Sequence, residues 1–551
     1  MLAVTIVTAM VAVAAAEQAT VQVTLQQGAI TGSREEAING RMYYSFKSIP
    51  YAKPPVGPLR FKKPEPADPW SGVRNGSLPI PKCPQLSSRV PGAIDGQEDC
   101  LYLNVYTPKP YESNLPVMVY IHGGAFLVSS AGEGGSPAPL MQKDIVLVTM
   151  NYRLGALGFL STGDDVLPGN LGLLDQTMAL QWVQDNIRSL GGDPNQVTIF
   201  GASAGGISAH LHILSPFSRG LFKRAILQSG TALLASLEFS REGAISVSKT
   251  LKCHGEQSQQ LLTCFKKATV KDLVYAQYSL GKWYGLPLTV APRVDGSFLP
   301  NHPAILIRSG HYNNVDMIIG TVQDEGNLVT AGLFSKAGEE ALQQLNDNFN
   351  KVGPILLGVT KEENPVYLAR RVFLRYMSDL NVTMDDEPAL TRIIGNQGFQ
   401  VHGAQSAGFH ARRTSRVFMY EVHHHLEQSF MTLFTNTSIE RQMAGHGDDI
   451  LYMFQFPEFL EPLHRPQDLH VQETFLTLWT NFASTGNPTI NGDLGFRWAP
   501  VTPSDPLRYL SITTTPTMQQ ADRSLLNFWN CLPTKTTKLL YPELFLQDAE
   551  E

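Results

Sequence analysis

The sequence has no excess of basic residues and no feature that would divide it into parts. Its 43 lysines and arginines are outnumbered by 49 aspartates and glutamates, and the formal net charge of −6 argues against nucleic acid as the main partner. Over 551 residues there is no linker rich in proline, glycine or serine, no run of like charges and no internal repeat. We therefore expect one domain rather than several.

No apolar run is long enough to favour a membrane span. Residues 2–13 are almost all apolar, and residues 14–16 are alanines that precede Glu17. This pattern predicts a signal peptide over residues 1–16, although no lysine or arginine precedes the apolar run, and a short membrane anchor is the alternative. Residues 545–551 are acidic and lack a hydrophobic tail, so a GPI anchor is not expected. The predicted localisation is secreted, outside the cell.

Cysteine is scarce, with five in the chain. Cys83 and Cys100 flank a sixteen-residue loop, Cys253 and Cys264 flank a ten-residue loop, and the fifth is Cys531. These cysteines support an oxidising compartment, but their connectivity does not follow from one sequence. For a secreted chain, three N-glycosylation sequons become meaningful. They begin at Asn75, Asn381 and Asn436.

Strand-like runs alternate with helix-like runs through much of the chain. Residues 145–150, 197–200 and 225–228 are typical of buried strands, whereas residues 174–189 and 206–214 are typical of helices. This alternation predicts an α/β fold with a largely parallel central sheet flanked by helices. The apolar fraction of 43% is ordinary for a soluble protein with a well-formed core.

The most informative motif is Gly201-Ala202-Ser203-Ala204-Gly205, which fits the pattern G-x-S-x-G. In a nucleophile elbow, the serine lies on a cramped turn between a strand and a helix, and this motif has both predicted neighbours. Its small residues let the backbone close around such a turn. Runs of glycine, alanine and serine also form ordinary turns, but the context predicts Ser203 as a nucleophile.

A glycine pair supplies a candidate oxyanion hole. The predicted strand 117–121 leads directly into His122, Gly123 and Gly124. Without a Cβ, the two glycines can turn their N–H groups toward a ligand. Together with the N–H of Ala204, they would bind the negative oxygen of a tetrahedral intermediate. An ordinary glycine-rich turn is the alternative, which the neighbouring serine motif disfavours.

A serine hydroxyl needs a base, and the base needs a carboxylate. Of fourteen histidines, His446 lies between two glycines on a predicted loop. The run 423–425 is all histidine and invites a metal, but consecutive strand residues point to opposite faces, so a solvated strand end is favoured. Asp324 and Glu325 follow the predicted strand 317–320, at the edge where open α/β sheets place their sites. The residues alone do not choose between these two acids.

The motifs together resemble the type-B carboxylesterases of the cholinesterase family. The segments that carry the resemblance extend from about residue 25 to residue 530 and include, besides the serine motif, residues 98–105, 122–126, 151–155, 323–326 and 446–449. The resemblance implies an α/β-hydrolase fold, with a single catalytic domain over residues 17–551. It also implies that Glu325, which directly precedes a glycine, is the acid. The order Ser203, Glu325, His446 agrees with that of α/β-hydrolases.

The resemblance implies further assignments. It pairs the cysteines locally, as Cys83–Cys100 and Cys253–Cys264. Cys531 is then left over, and we predict a buried, inert thiol in preference to a pair with another chain. Ser229 matches a family serine that can hydrogen-bond near the acid and the base, with a strand-end cap as the alternative.

The reaction that the resemblance implies is hydrolysis of a small-molecule carboxylic ester through an acyl-enzyme. Ser203 attacks the carbonyl while His446 takes its proton and then gives it to the leaving alcohol. Glu325 orients the imidazole, and the N–H groups of the oxyanion hole hold the developing charge. This chemistry requires no metal and no organic cofactor.

Two features bear on the substrate. Cholinesterases carry a tryptophan for the quaternary ammonium in the first disulfide loop, but the segment between Cys83 and Cys100 contains no aromatic residue. By the resemblance, Leu286 and Leu288 lie where cholinesterases place acyl-pocket phenylalanines, and ordinary core packing is their alternative role. These features favour apolar esters, xenobiotic or hormone-like, over acetylcholine.

Within the family, the chain looks most like arthropod secreted esterases, a group that includes juvenile hormone esterases. Those enzymes usually have glutamine before the serine and glycine three residues before the histidine. This chain has Ala202 and Met443 there, so juvenile hormone hydrolysis is the alternative prediction. A non-catalytic adhesion or binding member of the family is a further alternative, against which the intact Ser203, Glu325 and His446 argue.

Overall fold

The computed structural model describes residues 21–111, 114–133, 135–234, 240–278, 281–286, 290–413, 415–432, 443–490, 492 and 494–546. Three predictions fall outside the described residues: the signal peptide, the acyl-pocket position Leu288 and the sequon at Asn436.

Fifteen strands occur in the described residues. In chain order they are β1 Val21–Thr24, β2 Ala29–Glu36, β3 Met42–Pro50, β4 Val73–Asn75, β5 Gln85–Leu86, β6 Ile94–Asp95, β7 Tyr102–Thr107, β8 Leu115–Ile121, β9 Val146–Met150, β10 Gly192–Ala202, β11 Arg224–Gln228, β12 Asp316–Val322, β13 Val417–Val422, β14 Arg508–Ile512 and β15 Thr517–Gln520. All except the hairpin β5–β6 belong to one sheet, whose order is β1-β2-β3-β7-β9-β8-β10-β11-β12-β13-β14-β15, with β4 beside β2. Within it, seven neighbouring strands run parallel, in the order β9-β8-β10-β11-β12-β13-β14.

Helices connect and flank these strands. They are α1 Gly155–Phe159, α2 Leu171–Asn186, α3 Ala204–Leu214, α4 Ser240–Thr250, α5 Ser258–Lys267, α6 Val270–Tyr278, α7 Pro303–Ser309, α8 Asn327–Leu333, α9 Glu339–Asp347, α10 Phe349–Leu356, α11 Pro365–Tyr376, α12 Glu387–Gly395, α13 Val401–His410, α14 Pro466–Thr485, α15 Arg523–Asn530 and α16 Lys535–Leu540. A π-helical turn, Asn396–Gln400, joins α12 to α13. The predicted α/β architecture, a mostly parallel sheet flanked by helices, is confirmed.

The core lies on both faces of the sheet because successive strand residues point to opposite sides. On β8, Val119 contributes to the apolar cluster that includes buried residues of α2 and α3, whereas Tyr120 joins the opposite cluster with Phe475 and Trp479 of α14. Strands buried on both faces read as continuous apolar runs. This is why the sequence pattern located the central strands, although β10 and β12 are longer than predicted.

The sheet register brings the predicted site residues to one edge. Ile121 lies beside Gly201, Ala202 beside Gln228, and Gln228 beside Gly320. Because these strands are parallel, the residues that follow their carboxyl ends emerge at the same side of the sheet. The motifs at 122–124, 203, 229 and 324–325 therefore share this carboxyl edge.

The two local disulfides are confirmed. Cys83–Cys100 and Cys253–Cys264 are both formed. The predicted burial of Cys531 is wrong, because the residue is exposed, although its thiol is free as predicted. Cys531 directly follows α15, where the chain turns at the surface. The general preference of cysteine for the core does not account for that position.

The three consecutive histidines follow β13 and are half-buried. The Nε2 atom of His423 pairs with Glu421 at 2.6 Å, and that of His424 pairs with Asp468 at 2.7 Å. Their side chains thus serve different partners. Among the described residues, no group of three or more His, Cys, Asp or Glu side chains has the arrangement of a metal site. Within the same residues, no helix has the length and apolarity needed to cross a membrane.

Candidate active site

Ser203 lies at a sharp turn between β10 and α3. Its backbone has φ 57° and ψ −123°, a conformation that is strained for a residue with a side chain. The Ser203 N–H donates to the Gln228 carbonyl at 2.9 Å, and the Ser203 carbonyl accepts from the N–H of Ile207 at 2.9 Å. The turn is therefore held on both sides. This is the strand–turn–helix geometry of a nucleophile elbow.

The small residues of the motif are required by a close approach of β8. A Cβ atom added to Gly205 would lie 2.0 Å from the carbonyl oxygen of Ile121, and one added to Gly201 would lie 2.4 Å from the same atom. Real Cβ atoms do not approach a carbonyl so closely. The glycines therefore let the turn pack directly against the end of β8.

Three backbone N–H groups near Ser203 remain available. A Cβ on Gly123 would lie 3.3 Å from the Ser203 Cβ, so this glycine packs against the serine. The N–H groups of Gly123, Gly124 and Ala204 donate to no group of the described residues. Ala204 is the first residue of α3, where an N–H has no partner inside the helix. Unpaired donors at this position are what an oxyanion hole needs.

Glu325 and His446 form a buried pair. The Nδ1–H of His446 donates to Oε2 of Glu325 at 2.5 Å, and the two side chains are 6% and 0% exposed. The other carboxylate oxygen, Oε1, accepts from the N–H of Val322 at 3.0 Å. A carboxylate held in this way fixes the orientation and the tautomer of the imidazole. The assignment implied by the family resemblance, Glu325 rather than Asp324, matches this contact.

Asp324 has a different role. Its backbone N–H donates to the carbonyl of Ala444 at 2.8 Å, and its carboxylate accepts from the N–H of Ala444 at 3.2 Å. These two bonds, with the β-bridge between Asp324 and Gly445, fasten the loop that carries His446 to the end of β12. The two adjacent acids therefore have different contacts. Asp324 holds the backbone of the histidine loop, and Glu325 holds the imidazole.

Asn327 is a second anchor of the histidine loop that the sequence did not reveal. Its Oδ1 atom accepts from the backbone N–H of His446 at 2.8 Å, and its side chain is fully buried. A Cβ on Gly445 would lie 2.0 Å from Nδ2 of Asn327, so the glycine is needed to admit this amide. The space beside Gly445 is therefore occupied by the side chain of Asn327.

Two buried aspartates follow the histidine. Asp448 accepts from the N–H groups of Gly445 and Phe430, each at 2.7 Å, and burial raises its pKa to about 7. Asp449 accepts from Gln228 Nε2 at 2.8 Å and from the Tyr420 hydroxyl at 2.9 Å. Burial raises the pKa of Asp449 to about 6, an effect that the Gln228 hydrogen bond opposes and the charge of Glu325 reinforces.

Other residues complete the surroundings of the imidazole and the serine. The ring of Phe399, on the π-helical turn, lies 4.8 Å from that of His446. The Ser203 hydroxyl forms no hydrogen bond with a described residue, His446 included. Without substrate, such bonds are often long and tighten only in the complex. Ser229 is buried with φ 49°, and its hydroxyl also lacks a partner among the described residues.

The substrate-related positions are partly resolved. Leu286 is half-buried and packs against the helical cluster that includes Trp283 and Phe349, in line with its alternative role as a packing residue. In the first disulfide loop, each carboxylate has a partner. The pairs are Asp95 with Lys82, Glu98 with Arg60, and Asp99 with the hydroxyl of Tyr102.

The sequence of the chain is similar to those of known esterases. A sequence model of the carboxylesterase family matches residues 19–529. The juvenile hormone esterase of Tribolium castaneum is 37% identical over 499 residues, which cover 85% of this chain and 84% of that protein. Esterase FE4 of Myzus persicae is 35% identical over 533 residues, covering 93% and 92%. Acetylcholinesterase of Bungarus fasciatus is 32% identical over 538 residues, covering 92% and 86%.

Proposed function

The chain belongs to the carboxylesterase family, and we propose that it is a serine esterase whose catalytic residues are Ser203, Glu325 and His446. Family membership supports ester hydrolysis as the reaction. The observation that carries the catalytic assignment is the buried hydrogen bond from His446 Nδ1 to Glu325, formed at the same sheet edge as the strained serine turn. The acyl-enzyme mechanism is part of this proposal.

In the proposed reaction, the Ser203 oxygen attacks the ester carbonyl and His446 Nε2 accepts the serine proton. The negative oxygen of the tetrahedral intermediate accepts hydrogen bonds from the N–H groups of Gly123, Gly124 and Ala204. His446 then protonates the alcohol, which leaves as the acyl-serine forms. Water, deprotonated by the same imidazole, attacks the acyl-serine and releases the carboxylic acid. Glu325 stays ionised and stabilises the imidazolium in both halves.

Hydrolysis of p-nitrophenyl butyrate tests the assignment. We expect Ser203→Ala to lower kcat by a factor of about 10³ or more, because the nucleophile is lost while the fold remains. Ser208→Ala is a matched control, since Ser208 is a buried serine of α3 that accepts from Gln176 instead. Equal rates for Ser203→Ala and the wild type would refute the proposal, and no hydrolysis by either would favour the non-catalytic alternative.

The proposed substrates are apolar carboxylic esters. A quaternary ammonium needs an aromatic face or an unpaired carboxylate, and the first disulfide loop offers neither, because it has no aromatic residue and its acids are already paired. We expect kcat/KM to rise with acyl chain length from acetate to hexanoate, and acetylthiocholine to be a poor substrate. Faster hydrolysis of acetylthiocholine than of phenyl acetate would contradict this.

Juvenile hormone is a second candidate substrate, because one of the similar proteins is named for that activity. Ala202 and Met443 depart from the residues usual in that group. Direct comparison of juvenile hormone with a simple methyl ester of similar length separates the two candidates. A kcat/KM for the hormone at least 100-fold above that of the simple ester would favour the hormone-specific function.

We further propose secretion with N-linked glycans at Asn75 and Asn381. Two disulfides fit an oxidising compartment. Both asparagines are exposed, and the side-chain oxygen of Asn75 accepts from the N–H and the hydroxyl of Ser77 within its own sequon. Deglycosylation of the protein secreted by insect cells should increase its electrophoretic mobility, and Asn75→Gln with Asn381→Gln should remove the corresponding part of that change.

A further inference from the structure

Two consecutive peptide groups of the glycine turn are held by their carbonyl oxygens. The Tyr152 hydroxyl donates to the carbonyl of His122 at 2.9 Å. The Nδ1–H of His122 donates to the carbonyl of Gly123 at 2.9 Å. A trans peptide group is planar, so its N–H points opposite to its carbonyl oxygen. Fixing these two oxygens therefore fixes the directions of the N–H groups of Gly123 and Gly124.

The imidazole of His122 is neutral with a defined tautomer. Because a carbonyl oxygen only accepts, Nδ1 must carry the proton. Burial lowers the pKa of His122 to about 4, although the Gly123 bond opposes this, so the ring is uncharged at neutral pH. Its Nε2 atom is buried and has no partner in the described part of the chain. Among the described residues, the Gly123 carbonyl is thus the one polar contact of the ring.

Tyr152 also fixes the orientation of the His122 ring. The two rings stack with centroids 4.4 Å apart and an interplanar angle of 18°. Both side chains are buried, with His122 2% and Tyr152 0% exposed. The N–H groups of Gly123 and Gly124 make no hydrogen bond with the described residues, and Gly123 packs against Ser203. The bonds of the His122–Tyr152 pair therefore lie on the opposite side of the two peptide groups from the free donors.

We propose that His122 and Tyr152 are positioning residues of the oxyanion hole: each holds one carbonyl so that the following glycine N–H is preset toward the tetrahedral oxygen. This inference rests on the proposed esterase function. It predicts that the pair acts on the transition state and not on substrate binding, because the donors engage fully only when negative charge develops.

The test compares three substitutions in the full-length protein. Tyr152→Phe keeps the stacked ring and removes only the hydroxyl. His122→Leu removes the Nδ1–H donor, whereas the side-chain amide of His122→Asn can place an N–H donor near the same point. We expect Tyr152→Phe and His122→Leu to lower kcat for p-nitrophenyl butyrate about 10- to 100-fold with KM changed less than twofold. His122→Asn should recover most of the rate.

A second measurement reports on the oxyanion directly. An alkyl trifluoromethyl ketone adds to the serine and forms a tetrahedral adduct with a negative oxygen, so its affinity should fall by the same factor as kcat/KM. Tyr51→Phe is the matched control, because its buried hydroxyl donates to the carbonyl of Asn151 at 2.7 Å, next to Tyr152 but outside the glycine turn. This variant should lose thermal stability like Tyr152→Phe and keep wild-type kcat and ketone affinity.

The outcomes separate this inference from the proposed function. If Ser203→Ala matches the wild type, the esterase proposal fails whatever the other variants do. If Ser203 is required but Tyr152→Phe and His122→Leu change only the thermal midpoint, the positioning role is overturned. Equal rate losses in His122→Leu and His122→Asn would likewise overturn it, because the donor would then be irrelevant.

Discussion

A pair of buried histidines behind the proposed nucleophile should make the protein sensitive to acid. The Nε2 atoms of His210, on α3, and His410, at the end of α13, lie 2.9 Å apart, and both side chains are fully buried. The N–H of Ala232 donates to His210 Nδ1 at 3.1 Å, so Nδ1 is unprotonated and Nε2–H must donate to His410. Both rings are therefore neutral. A proton added to His210 Nδ1 or to His410 Nε2 would occupy a nitrogen that now accepts, and one of these hydrogen bonds would be lost.

The sign of the effect follows from the pKa values. Burial lowers the pKa of His410 to about 3, and burial together with the charge of His410 lowers that of His210 well below its usual value. An unfolded histidine binds a proton near pH 6.5. Below that pH the unfolded chain binds more protons than the folded one, so the free energy of unfolding decreases as pH falls. Each such histidine removes about 1.4 kcal/mol per pH unit, or about 2 kcal/mol between pH 6.5 and 5.

Other titrating groups also contribute to the pH dependence of the free energy of unfolding, but they do not obscure the contribution of His410 when a His410 variant is compared with the wild type. The ring of Tyr312 packs edge-on against His410 at 4.4 Å, and Arg413 lies near the Tyr312 hydroxyl. Asp448 and Asp449 work in the opposite direction, since their raised pKa values let the folded state bind protons first. These contributions are common to both proteins, so the difference between the two pH profiles isolates His410.

The informative variant is His410→Gln, whose side-chain oxygen can still accept from His210 but does not titrate. Urea unfolding followed by tryptophan fluorescence, with the disulfides intact, gives the free energy of unfolding at pH 7.5, 6.5 and 5. We expect the wild type to lose about 2 kcal/mol more than the variant between pH 6.5 and 5. His470→Gln, an exposed substitution on α14, should retain the wild-type profile. Parallel profiles for the wild type and His410→Gln would refute the reasoning.

Three further predictions concern the proposed active site. Gly205→Ala should lower the free energy of unfolding, measured in urea, by about 3 kcal/mol or more, because the added Cβ would lie 2.0 Å from the Ile121 carbonyl oxygen. Gly408→Ala is the control and should not lower it, because the space around Gly408 is open. Glu325→Gln should lower kcat about 10³- to 10⁴-fold, while Asp324→Asn should mainly lower the thermal midpoint; equal kcat losses would contradict the division of roles. Phe399→Leu should lower kcat severalfold by freeing the His446 ring, with Phe399→Tyr near wild type; unchanged kcat in Phe399→Leu would exclude this role.

The parts of the site that the sequence predicts are those with local requirements. The serine motif needs a strand, small residues and a helix in immediate succession, and these are legible in the order of residues 197–214. Even there, α3 begins at Ala204 rather than at the predicted Gly206, because capping geometry at the serine decides where the helix starts. The two disulfides close short loops and were implied by resemblance.

The parts that the sequence does not predict depend on the direction of a side chain in the folded chain. Asp324 and Glu325 are chemically similar neighbours, and only their orientation sends one to the backbone of Ala444 and the other to His446. Phe399, which contacts the imidazole, lies on a π-helical turn between α12 and α13, and no apolar period in the sequence predicts such a turn. Cys531 is exposed for an equally local reason, its place at the end of α15.

At Gln228 the sequence nevertheless contains a signal for a contact at the site, namely a polar residue at the end of a buried apolar strand. It ends the apolar strand β11 and is fully buried, and a buried amide without partners would be costly. Its carbonyl accepts from the N–H of Ser203, and its side-chain Nε2 donates to Asp449, three residues beyond His446. One residue thus ties the serine turn to the start of the helical turn that follows the histidine. A polar residue at the carboxyl end of a buried parallel strand therefore indicates a partner on the loops of that edge. Here the partners are the proposed nucleophile and the segment that carries the proposed base.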